Sequence, residues 1–125
     1  MRWNAWWLSC KLAWSQVSFR IVSLLIALVV IGGTIFFVGE TIAIGQHHQT
    51  LAIHYNVYVG IDDVRPWQWG LLLPLGWFLF STVNTAAAFI FYRRDPQAAM
   101  SLLLFTALAC IPWISFLFYL TVLNR

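Results

Sequence analysis

Apolar positions along this chain gather into three long runs separated by short polar stretches. The runs cover roughly Arg20–Gly39, Gly70–Tyr92 and Ala98–Leu123. A helix rises about 1.5 Å per residue, so about 20 apolar residues match a hydrocarbon core of ~30 Å. Each run therefore predicts a membrane-spanning helix. The expected layout is an interfacial helix at 1–19, spans at 20–39, 66–92 and 98–123, an outer loop at 40–65 and a tight turn at 93–97. The expected fold class is an all-α membrane protein, a single membrane domain whose outer loop has strand character.

Between the runs the pattern changes period. Trp3, Trp6, Trp7, Cys10, Trp14 and Val17 recur at helical spacing, while Arg2, Asn4, Ser9, Lys11, Ser15 and Gln16 fall mostly on other faces. Such an amphipathic helix rests in the headgroup region, where an indole is apolar yet finds a partner for its N–H. From Thr50 to Gly60 the period becomes 2, with Leu51, Ile53, Tyr55, Val57 and Val59 on one side. That alternation predicts an extended strand. A lone strand is unstable, so it is expected to pack on the helix ends or to pair. A turn is expected at Gly60-Ile61-Asp62-Asp63, with Pro66 at the start of the second span.

Within the spans, Ser23 and Ala27 make a small-xxx-small pair and Gly32–Gly33 thins the first helix, which favours close packing. Pro74 and Pro112 predict kinks. The inner half of the second span holds Ser81, Thr82, Asn84 and Thr85, the most polar membrane stretch. An unpaired amide in hydrocarbon costs roughly 4–8 kcal/mol on an alkane scale. Asn84 is therefore expected to face a neighbouring helix. Thr106 lies at matching depth, which makes an Asn84–Thr106 helix contact the expected pairing.

Composition agrees with this layout. Hydrophobic residues make up 62% of the chain and charged residues 9%, against about 25% charged in soluble domains. Arg2, Lys11 and Arg20 precede the first span, and Arg93 and Arg94 separate the second from the third. Only Arg65 and Arg125 fall on the other side. Lys and Arg collect in cytoplasmic loops, so the N-terminus and the Arg93–Arg94 turn are expected in the cytoplasm, with the 40–65 loop and the C-terminus outside. The first run ends in Ile35-Phe36-Phe37-Val38-Gly39-Glu40. This offers no small-x-small cleavage site, so the run is expected to stay as a signal anchor. Nucleic-acid binding needs a clustered basic face, and the sequence has none.

Candidate chemistry is sparse. Cys10 and Cys110 are separated by about half a bilayer in this layout, beyond the ~7 Å Cα reach of a disulfide. His47, His48 and His54, with Glu40 and Asp62, are metal-competent types in one loop, but their spacing matches no zinc framework. The spans hold no interior ionisable residue of the kind that proton-coupled transport uses, and no phosphate loop or nucleophile elbow is present. No enzyme, cofactor or metal site is expected.

One segment carries a resemblance. After the first span, Leu51-Ala52-Ile53-His54-Tyr55-Asn56, then Gly60 and Asp62, leads through Trp67 into a span containing Leu73-Pro74. This run resembles the outer loop of bacterial membrane proteins related to the sporulation-delaying toxin immunity protein. There a proline-x-His-aromatic-Asn-x-x-Gly-x-x-Asp stretch follows the first helix. Leu51 and Ala52 stand where that family has prolines, and the spacing from Asn56 to Gly60 is one residue longer. The chain is also similar to short three-span bacterial membrane proteins with such a loop. The resemblance implies a bacterial inner-membrane protein with a sensing or protective role, and it makes His54, Asn56, Gly60 and Asp62 the candidate recognition residues. The leading expectation is a non-enzymatic accessory or interaction protein whose partners are the lipid bilayer and another membrane protein or a second copy of itself. The alternative is an immunity- or sensor-like protein that recognises an extracytoplasmic ligand through the outer loop.

Overall fold

The computed structural model describes residues 3–125, apart from the side chains of Trp3, Asn4 and Asp62. The shares of Arg2 in the charge bias and of Trp3 in the tryptophan face thus lie outside the described residues. In chain order the elements are α1 (Trp3–Ser15), α2 (Val17–His47), β1 (Thr50–Asn56), β2 (Gly60–Pro66), a 3₁₀ turn over Trp67–Leu71, α3 (Leu72–Phe91) and α4 (Pro96–Leu123). Val17–His47, Trp67–Phe91 and Pro96–Leu123 are long and apolar enough to cross a membrane. The chain is therefore a multi-pass α-helical membrane protein with a small antiparallel hairpin.

Several boundaries depart from the sequence reading. The helix that contains the first expected span does not stop at Gly39 but runs on through Glu40 to His47. Glu40 is tolerated because Arg125 pairs with it at 2.8 Å, and Thr41 is buried with its hydroxyl donating to the Phe37 carbonyl. The strand expected at Thr50–Gly60 is one arm of a hairpin. The turn expected at 60–63 is instead β2, and the chain reverses at Val57-Tyr58-Val59. Pro66 precedes a 3₁₀ turn, and α3 starts only at Leu72. Pro74 therefore sits in the first helical turn, where its missing N–H has no partner to lose, so the kink expected there has no cause. Pro112 lies inside α4, where it does remove a backbone hydrogen bond. Ser23 is buried, but Ala27 is exposed, so the two do not share a packed face.

Most buried positions of α2 and α4 follow a seven-residue repeat. Those of α2 are Phe19, Ser23, Ile26, Val30, Phe37, Thr41 and Ile44, with half-buried Gly33 filling the gap. In α4 they are Ala99, Leu103, Thr106, Cys110, Leu117, Leu120 and Thr121. Apart from Thr41 and Thr121, the positions keep to alternating steps of four and three, the spacing of a narrow helix–helix seam. The remaining faces are apolar too, because a membrane helix shows hydrocarbon-compatible residues on every side.

The chain divides into two compact units. One contains Met1–Val30 and Leu79–Ile111. In it α1 docks through small residues: Ser9 and Ala13 are buried, while Trp6, Trp7 and Trp14 are 45%, 68% and 46% exposed. The Ser9 hydroxyl donates to the Phe89 and Ile90 carbonyls at 2.8 and 3.0 Å and accepts from the Arg93 N–H at 3.0 Å. Phe19 meets Phe89 and Tyr92 edge to face, with centroids 5.0 and 4.9 Å away. The Asp95 carboxylate accepts from the N–H groups of Gln97 and Ala98 and so caps α4.

The other unit contains Ile31–Phe78 and Pro112–Arg125. Glycines let aromatic rings approach α2 in this unit. A Cβ at Gly33 would lie 2.6 Å from the Trp77 ring, and one at Gly45 would run into Trp67. Ile44, Leu51 and Leu120 form a buried cluster joined by Ile53, Trp67 and Leu73.

Candidate functional site

The hairpin gathers most of the residues singled out from the sequence. Its strands pair from Thr50↔Pro66 to Asn56↔Gly60. An irregularity passes over Ile53 in β1, and a second passes over Asp62 in β2, which restores the register. The closing turn is built by its own residues. The Asn56 carboxamide accepts from the Tyr58 N–H at 2.9 Å, the local bond that makes Asn a turn former. Gly60 has φ +84°, a conformation open to glycine and strained for side chains with a Cβ. A three-residue loop followed by such a glycine is a standard hairpin closure. Asn56 and Gly60 thus have structural work in the turn.

His54 is exposed on β1 opposite Asp63. The side chain of Asp62 lies outside the described residues. Asp63 pairs with Arg65 at 2.9 Å on the exposed strand. The turn itself is apolar and open: Val57, Tyr58 and Val59 are 83%, 96% and 74% exposed.

The hairpin is fastened by a residue that sequence reasoning passed over. The Asn124 side chain accepts from the Ala52 N–H at 2.7 Å and donates to the Ala52 carbonyl at 2.8 Å. It also donates to the Leu120 carbonyl at 2.9 Å. One carboxamide thereby pairs with β1 as the backbone of a neighbouring strand would. No local pattern marks Asn124; its only signal is a polar amide directly after an apolar span. Leu51 packs on Gly70, where a Cβ would lie 2.7 Å from the leucine methyl.

Beside this clamp is a cavity of about 270 Å³, bordered by Glu40, His47, His48, Asn124 and Arg125. His54 does not border it. Among the described residues no group of three His, Cys, Asp or Glu side chains comes together as metal ligands.

The intramembrane pair expected from depth does not form a hydrogen bond among the described residues. Thr106 is fully buried and donates to the Leu102 carbonyl at 2.8 Å; Asn84 is half-buried. A threonine in a helix can satisfy its hydroxyl on its own preceding turn, which removes the need for Asn84. The buried polar atoms left without a partner among the described residues are Thr34 Oγ1, Trp77 Nε1, Ser81 Oγ and Thr85 Oγ1. Comparison with known protein families, with curated proteins and with solved structures finds no match to this chain.

Proposed function

We propose that this chain is a small non-enzymatic protein of a bacterial inner membrane that works by holding on to another membrane protein. The observation that carries this reading is the hairpin: an apolar turn, Val57-Tyr58-Val59, presented in the open on a base clamped by Asn124. Exposed apolar side chains on an ordered base are what an interaction surface needs. The charge bias supports a cytoplasmic N-terminus and Arg93–Arg94 turn, with the hairpin outside. The partner on this reading is a membrane protein with a domain on the hairpin side.

The test is purification of tagged protein in a mild detergent, with mass spectrometry of what elutes. The expected result is one stoichiometric partner, retained by the parent protein and lost from Tyr58→Ala. A lone chain of this protein would overturn it. The alternative, recognition of an extracytoplasmic ligand by the loop, draws on the exposure of His54, since Asn56 and Gly60 are accounted for by the turn. It predicts that His54→Ala loses a protective phenotype at unchanged protein level.

A further inference from the structure

We propose that a cavity between α1 and the end of α3 holds the phosphate of an anionic phospholipid. The cavity is about 720 Å³ and is bordered by Trp6, Ser9, Ile90, Phe91, Arg93 and Arg94. That is within the range of sites that enclose small molecules, roughly 300–1,000 Å³.

Its charge fits an anion. Neither Arg93 nor Arg94 has an ion pair among the described residues. The nearest carboxylate in sequence, Asp95, is committed to the first N–H groups of α4. The carbonyl end of α3 would ordinarily repel a phosphate. Here the Ser9 hydroxyl shares its one proton between the Phe89 and Ile90 carbonyls, which reduces that repulsion. The cavity is therefore bordered by two arginines with no ion pair among the described residues, and the planar fork of a guanidinium suits phosphate oxygens.

Its position fits a lipid rather than a free ion. The arginines follow directly on α3, at the end of a stretch able to span the bilayer. Trp6 is exposed beside them, and tryptophan favours the headgroup level. Ile90 and Phe91 are exposed apolar side chains on the wall, so a headgroup at the arginines leaves its acyl chains against apolar helix. A basic pocket between membrane helices at headgroup depth is the arrangement that recognises anionic headgroups. This inference rests on membrane insertion of the chain and is independent of any partner at the hairpin.

The experiment is native mass spectrometry of the purified full chain, equilibrated with equal amounts of phosphatidylglycerol and phosphatidylcholine of matched acyl chains. The parent protein is expected to keep one phosphatidylglycerol in preference to phosphatidylcholine. Arg93→Gln with Arg94→Gln should weaken that preference roughly thirtyfold, the effect of removing two cationic contacts to an anionic lipid surface. Arg93→Lys with Arg94→Lys, which preserves the charge, should keep most of it. Lys11→Gln should keep it fully, because Lys11 lines a different cavity with Trp7 and Trp14. Equal retention of the two lipids by the parent protein would overturn the site. So would a preference that survives the double glutamine variant or falls equally in Lys11→Gln. Displacement of the lipid by millimolar inorganic phosphate would assign the site to a free anion and overturn the lipid assignment.

Discussion

At Gly33 a single hydrogen in place of a side chain decides whether Trp77 can lie against α2. The ring is fully buried and a Cβ would sit 2.6 Å from it. Gly33→Ala is therefore expected to destabilise by about 1–3 kcal/mol, the usual cost of overpacking. Gly32 has open space at the same depth, so Gly32→Ala should be neutral or stabilising by up to ~1 kcal/mol. Thermal unfolding of both variants in one detergent compares them directly, and equal losses would remove Trp77 from the explanation. Ser81 offers the reverse case. Its buried hydroxyl has no partner among the described residues, so Ser81→Ala should leave the unfolding temperature unchanged or raised. Cys10 gives a pH-dependent test. Desolvation by burial pushes its thiol pKa up and outweighs a backbone hydrogen bond that lowers it. Less thiolate is then present at neutral pH than for an exposed cysteine. Maleimide labelling of Cys10 should therefore be slow at neutral pH and should climb only above the pH at which an ordinary thiol ionises. The adjacency of Gly32 and Gly33 was legible in the sequence, but which of them faces a ring was not. In a membrane helix the packed and lipid faces are equally apolar, and only the seam identifies the one that matters.

Among the elements, the hairpin depends most on a contact far away in sequence. Asn124 satisfies both backbone groups of buried Ala52. Asn124→Ala strands them, at a cost of about 1–3 kcal/mol for an unmet buried group. The expected signature is faster hydrogen exchange at the Ala52 amide with the helix amides unchanged. A uniform rise across the chain would point to global loosening instead. The extended character of β1 is legible in its alternation, but its sides are not: Leu51 and Ala52 are both buried, Tyr55 is exposed, and the register slips at Ile53. The reversal was misplaced because Val57, Tyr58 and Val59 are strand formers by composition. What bends the chain there is the Asn56 side chain and the positive φ of Gly60. The end of α2 was misread for a related reason. Glu40 looks like a terminus in one dimension, and Arg125, which neutralises it, is distant in sequence. Asn84 shows the same limit from the other side: depth matching named Thr106 as its partner, yet that hydroxyl closes on Leu102.

For the whole molecule, the three long apolar helices were legible from run length alone, and the side of the membrane proposed for each end rests on the charge bias. With Tyr58→Cys and Arg94→Cys introduced singly, an impermeant maleimide applied to intact cells should label the first and spare the second. The reverse pattern would invert the topology and move the proposed partner to the other side. The candidate sites were only half legible. His54, Asn56, Gly60 and Asp62 were named together from the sequence, but two of them serve the turn, while the clamp and the arginine cavity arise from residues far apart in the chain. The clamp also bears on synthesis. Asn124 lies 72 residues after the strand residue it holds. At about 5–20 residues per second the ribosome takes several seconds to cover that distance. During this interval β1 can pair with β2, yet its other edge stays open, and open edges invite pairing with foreign strands. The Ala52 edge is closed only once Asn124, the residue just past α4, has been made, so the last residues of the chain complete a strand begun near its middle.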